Sequence, residues 1–169
     1  MSNSIEKQID LKAPVSLVWQ ALTDYRQFGQ WFRVDLEGPF IAGQPTGGHI
    51  TWPGYEHLRM EVAVVAIEPE TRFSFHWHPY AIDPSKDYSQ ETPTLVEFKL
   101  VPTATGTSLT ITESGFENLP SERIAEAFRM NDQGWAQQLS NIETYVNQTP
   151  HQSRTNELVS NPLPRSPLR

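Results

Sequence analysis

The chain of 169 residues carries 13 basic against 20 acidic side chains, a net charge of −7, and is 37% hydrophobic and 11% aromatic. That apolar share supports a packed core and excludes a chain disordered throughout, while the acidic balance without a lysine or arginine cluster excludes a nucleic-acid binder, since phosphates need grouped cations. There is no cysteine, hence no disulfide framework, thiol nucleophile or thiolate metal site. The charged opening MSNSIEKQIDLK lacks the apolar run of a signal peptide, and no stretch approaches the ~20 apolar residues of a membrane span, which predicts a soluble cytoplasmic protein.

Ile5, Ile9 and Leu11 alternate with Glu6, Gln8 and Asp10, the period of a half-buried strand, and Ala13-Pro14 ends it. A helix should follow, with Pro14 in its first turn and Val15, Val18, Trp19 and Leu22 on its apolar face; Thr23 and Asp24 break and recap the chain. A second short helix runs to about Phe32, and its Tyr25, Phe28, Trp31 and Phe32 suit a plug for one end of a core. From Arg33 onward Gly and Pro punctuate six further strands: Val34 to Glu37, Gly48 to Trp52, Leu58 to Ile67, Arg72 to Trp77, Thr94 to Val101 and Thr107 to Glu113. Glu68-Pro69-Glu70 reads as one tight connection and Thr103 to Gly106 as a hairpin turn, so the sheet is mainly antiparallel. Residues 79–93 make a connection too long for a hairpin and suit a rim loop.

From Pro120 to Asn147 the pattern becomes helical. Ile124, Phe128, Trp135, Leu139, Ile142 and Val146 fall on one stripe. At 1.5 Å per residue this helix is about 40 Å long, suited to lying across a curved sheet. Ser121 can cap it and Glu122 suits the positive end of its dipole. Asn131, Asp132 and Gly134 interrupt the stripe, as a polar notch facing a cavity or as a solvated edge. After residue 147 the prolines at 150, 162, 164 and 167 and the scarcity of apolar groups predict a disordered tail over 148–169, beyond a single domain over 1–147. The order of elements is that of an α+β layer architecture with one curved sheet.

In RFSFHWHP the residues Phe73, Phe75 and Trp77 share one face, expected inward, and His76 and His78 the other. An H-x-H pair is an incomplete metal site without a third ligand, and none is locally spaced, so no metal is expected. Glu113 shares parity with Leu109 and Ile111. It therefore points inward as a buried carboxylate, either a hydrogen-bonding anchor or a general base, unless Ser114-Gly115 twists it out. There is no GxSxG elbow, phosphate loop, dinucleotide fingerprint or HExxH, so no sequence signature marks an enzyme or calls for a cofactor.

Read together, LKAPVSLVWQALTD, ALTDYRQFGQWF, RFSFHW, TLVEFKL, GTSLTITESGF and NDQGWAQQLSNIETYV resemble the family named for the activator of heat-shock protein 90 ATPase, within the START-like (SRPBCC) superfamily. The most specific motifs are ESGF at Glu113 to Phe116 and N-x-x-G-W at Asn131 to Trp135. The resemblance implies a helix-grip fold, with a seven-stranded antiparallel sheet gripping the long C-terminal helix and two short helices between strands 1 and 2. It also implies a cavity between sheet and helix. On it, Trp31, Phe75, Trp77, Phe116, Phe128 and Trp135 are candidates for an apolar lining, and Glu113 and Asn131 for its polar groups. The expected function is binding of a small hydrophobic or amphipathic molecule. The alternatives are a cyclase or hydrolase using Glu113 as base, and a chaperone partner in the manner of the co-chaperone, which itself has a separate N-terminal domain.

Overall fold

The computed structural model describes residues 4–148. Its elements are β1 (Ile5–Leu11), α1 (Val15–Thr23), α2 (Tyr25–Phe32), β2 (Val34–Leu36), β3 (Pro45–Ile50), β4 (Arg59–Glu68), β5 (Arg72–Trp77), β6 (Thr94–Thr103), β7 (Gly106–Ser114), a 3-10 turn at Phe116–Asn118, and α3 (Ser121–Gln148). The expected tail beyond Gln148 lies outside the described residues.

All seven strands form one antiparallel sheet in the order β1-β7-β6-β5-β4-β3-β2. Alternation sets the faces. Along β7, Thr107, Leu109, Ile111 and Glu113 are buried while the intervening residues are half-buried, so one face of the strand meets the core. The first and last strands pair, Ile5 opposite Glu113 and Leu11 opposite Thr107. Pairing of Thr103 with Gly106 leaves Ala104-Thr105 as the hairpin turn. Between β4 and β5 the Thr71 amide donates to the Glu68 carbonyl at 2.9 Å, closing the tight connection expected there. The register slips between Val64 and Ala66, a bulge that bends the strand and helps the sheet curl around its contents.

α3 packs against β1, α1 and α2 and buries Ala127, Trp135, Leu139, Ile142 and Val146. Beneath it Phe73, Phe75, Phe98, Leu109 and Ile111 are fully buried, each contributing ~1.5–3 kcal/mol by transfer from water. Three local expectations shift. α1 buries Leu17 and Ala21 beside Val18 and Leu22, whereas Val15 and Trp19 are only partly buried, because α1 faces β6 and β7 as well as α3. Pro14 precedes α1 as its N-cap, extended at ψ 161°, with its carbonyl accepting from the amides of Leu17 and Val18. The third strand begins earlier, at Pro45, and ends at Ile50, which frees Trp52 from the ladder.

The connection over 79–93 is pinned rather than loose. Arg123, in the first turn of α3, donates from Nη2 to Glu91 Oε1 at 2.8 Å and from Nε to Oε2 at 3.0 Å. It also reaches the carbonyls of Tyr80 and Pro79 at 3.1 and 2.9 Å, and its guanidinium lies 4.8 Å from the Tyr88 ring centroid. The two charged side chains are only 10% and 7% exposed, so removing Arg123 leaves the largely buried Glu91 carboxylate with the more distant Lys86, at 3.9 Å, and without its hydrogen bonds. Arg123→Ala is expected to cost about 3 kcal/mol in denaturant unfolding and to speed amide exchange across 79–93 while β6 and β7 stay protected. Unchanged exchange in that loop would contradict the pinning.

Candidate functional site

The site is assembled where β5, β6, β7 and α3 meet. Glu113 is 0% exposed, so the inward orientation expected from its parity is realised: β7 runs on to Ser114 and only then does Gly115, at φ +102°, turn the chain into the 3-10 segment. A positive φ of that size suits glycine and few other residues. The twist therefore falls after Glu113, too late to expel it.

Four donors converge on the Glu113 carboxylate. Trp135 Nε1 and Asn131 Nδ2 from α3 reach Oε1 at 2.8 and 2.9 Å. Trp77 Nε1 from the end of β5 reaches Oε2 at 2.8 Å, and Thr94 Oγ1 from the start of β6 reaches it at 2.5 Å. A carboxylate offers about four acceptor positions, and all four donors are uncharged. The bonds also orient the rings. Trp77 and Trp135 stack with centroids 5.6 Å apart and planes 29° from parallel, and Phe32 from α2 stands edge-on to both at 6.2 Å.

Above this group a solvent-facing cleft of about 90 Å³ is lined by Phe32, Trp77, Asn131, Gly134, Trp135 and Gln138. Phe32, Gly134 and Gln138 also border an adjoining groove of about 240 Å³ that runs past Trp52, Tyr55 and Leu58. At Gly134 an added Cβ would meet nothing within 4 Å. Gly134 is exposed and Asn131 and Asp132 are half-buried, so the interruption in the helix stripe is a partly solvated edge that forms the rim of the cleft.

Of the expected site residues, Trp77, Asn131 and Trp135 line the cleft, and Glu113 lies one side chain behind its wall. Four others do not reach it. Trp31 is buried in the α2 aromatic cluster against Phe28 and Phe32, its indole donating to the Ala21 carbonyl at 2.8 Å. Phe75 is fully buried among Phe73, Trp77 and Phe98, and Phe116 pairs edge-on with Phe128 at 5.2 Å. Aromatic side chains thus fill most of the space between sheet and helix. Phe32, Gln138, Trp52 and Tyr55 were not among the expected lining residues. Phe32 was signalled only as part of an aromatic run, and Gln138 only by sitting one helical turn after Gly134. Gln138 donates to the Phe32 carbonyl at 3.1 Å and accepts from Asn141 at 3.0 Å.

His76 Nδ1 lies 3.1 Å from the Thr94 carbonyl, and His78 Nδ1 is enclosed without a partner among the described residues. No cluster of three or more His, Cys, Asp or Glu side chains among the described residues has the arrangement of a metal site. No helix among them is long and apolar enough to cross a membrane.

A family model described as Activator of Hsp90 ATPase homolog 1-like protein matches residues 12–147. The chain belongs to that family. The fold is the helix-grip fold of its structural neighbours. One is protein MLL2253 from Mesorhizobium loti, 26% identical at a TM-score of 0.69, with 87% of this chain and 98% of that one covered. Another is the Aha1 dimer from Colwellia psychrerythraea, 19% identical at 0.62, covering 85% and 94%. DynU16 from the dynemicin biosynthetic locus is 24% identical at 0.65, and the match covers 86% of this chain but 47% of that one. No curated protein matches the sequence.

Because the Asn131 amide bonds Glu113 at 2.9 and 3.2 Å, its loss leaves a buried carboxylate short of a donor. Asn131→Leu is therefore expected to destabilise the fold by ~1–3 kcal/mol, read as a lower denaturant midpoint. A neutral or stabilising effect would show that the bond does not hold the site together.

Proposed function

We propose that this member of the Activator of Hsp90 ATPase homolog 1-like family binds a small hydrophobic or amphipathic molecule in the cleft at Gly134. The carrying observation is the gap itself: aromatic side chains fixed by a buried carboxylate border an open cleft of about 90 Å³ beside a helix position that bears no side chain. A mainly apolar concavity with few polar groups is the usual form of a ligand site. At that volume the cleft takes a single ring or a compact head group, with the rest of the molecule in the adjoining groove of about 240 Å³.

Several observations favour binding over catalysis. A cyclase or hydrolase with Glu113 as base needs a free lone pair facing the substrate. The two oxygens of Glu113 instead accept from four protein donors, and the residue does not border the cleft. Its role as hydrogen-bonding anchor fits better. A chaperone partnership rests on family membership alone.

Gly134→Ala separates binding from folding. Gly134 is exposed on the rim of the cleft, where a methyl group meets no protein atom within 4 Å, and replacing glycine in a helix interior gains up to ~1 kcal/mol of helix propensity. The variant is expected to melt at or above the wild-type temperature while its affinity for a neutral fluorescent aromatic probe such as N-phenyl-1-naphthylamine falls about tenfold, a loss of ~1.4 kcal/mol. Equal affinity in the two proteins would contradict the proposed location.

A further inference from the structure

We infer that the head group for which the cleft is built is a compact organic cation, a substituted ammonium. This rests on the binding reading above and names the chemistry of its ligand.

The first ground is charge. Glu113 is 0% exposed and its four donors, Trp77, Thr94, Asn131 and Trp135, are all uncharged. Buried charges in proteins are ordinarily paired, because desolvation is costly and an opposite charge offsets it. The cation that β1 turns toward α3, Lys7, is engaged with Asp132 at 3.1 Å. No ionisable residue lines the cleft, and three of the residues that do line it, Trp77, Asn131 and Trp135, hold the carboxylate directly. A positive charge in the cleft would sit one side chain away from Glu113, at the protein surface, where attraction is screened less than in bulk water.

The second ground is the wall. Two stacked indoles and an edge-on phenyl ring bound the cleft, and aromatic side chains around a small pocket are the common means of holding alkylated ammonium groups. Indole N–H groups that donate to a carboxylate leave their rings richer in electron density, which strengthens that attraction. Asn131 turns its amide nitrogen to Glu113, and among the described residues its Oδ1 accepts no protein donor, so it offers the cleft an acceptor.

The third ground is exclusion. Phosphate and carboxylate groups need Arg, Lys or a cluster of backbone donors, and the lining supplies none. The net charge of −7 adds a field of the same sign. The remaining atoms of the ligand would lie along Trp52, Tyr55 and Leu58 in the adjoining groove.

Three probes of nearly one shape test this: choline, 3,3-dimethylbutan-1-ol, in which carbon replaces the charged nitrogen, and 3,3-dimethylbutanoate. Each is titrated into the full chain while the indole N–H resonances are followed by NMR, alongside Gly134→Ala. The expected result is that choline moves the Trp77 and Trp135 signals with an affinity at least tenfold above the alcohol, that added salt weakens it, that the anion does nothing, and that Gly134→Ala abolishes the shifts. An alcohol that binds as well as choline, or an anion that binds best, overturns the cationic head and leaves the cleft as a ligand site. If none of the three binds while the neutral naphthylamine does, the inference again fails alone. If that probe also fails in the wild type, both fall.

Discussion

A carboxylate buried without a cation is among the more expensive groups a fold can contain, and Glu113 is tolerated only because four donors meet it. Satisfying it fixes much else. Trp77 must end β5 with its indole turned inward, Thr94 must begin β6 opposite it in the ladder, and Asn131 and Trp135 must lie four residues apart on one face of α3. Any sliding of α3 along the sheet would break two of these bonds at once. The carboxylate thus sets the position of the helix over the sheet, and by holding both indoles it preorganises the walls of the cleft.

Such an arrangement separates what stabilises the protein from what serves a ligand. The rings and the amide that bind Glu113 belong to the folded structure, and their loss is felt in stability first. At Gly134 an added Cβ would meet nothing within 4 Å, and glycine there costs helix propensity. The space left by the missing side chain lies beside the aromatic rings that border the cleft. The DynU16 and Aha1 relatives share the fold at 24% and 19% identity, a level at which fold carries over and ligand does not.

Much of this was legible in the chain. Period-two alternation located most strands and the parity of Leu109, Ile111 and Glu113 gave the direction of the carboxylate, because burial on a regular strand follows from geometry alone. The helical stripe located α3, while its interruption at Asn131 and Gly134 fitted a solvated edge as well as the rim of a cleft. Partners were harder to see. Nothing local tells Trp77 and Trp135, 58 residues apart by their numbers, that they share one acceptor, since that depends on how far the sheet curls. For the same reason Trp31, Phe75 and Phe116 seemed as suited to line a cavity as Trp77. Which aromatic residue fills the core and which borders open space is decided by helix placement, and the third strand ends at Ile50, leaving Trp52 beyond the ladder.

The claim that a satisfied buried carboxylate holds the cleft walls is tested most directly by hydrogen exchange of the tryptophan indoles, followed by NMR in the free protein. Trp52, 39% exposed, serves as the internal reference. The Trp77 and Trp135 indole protons should exchange orders of magnitude more slowly than that of Trp52, at rates set by global unfolding, and in Glu113→Gln both should speed up together. Rapid exchange of either indole in the wild type, or protection that survives the loss of the carboxylate, would contradict it.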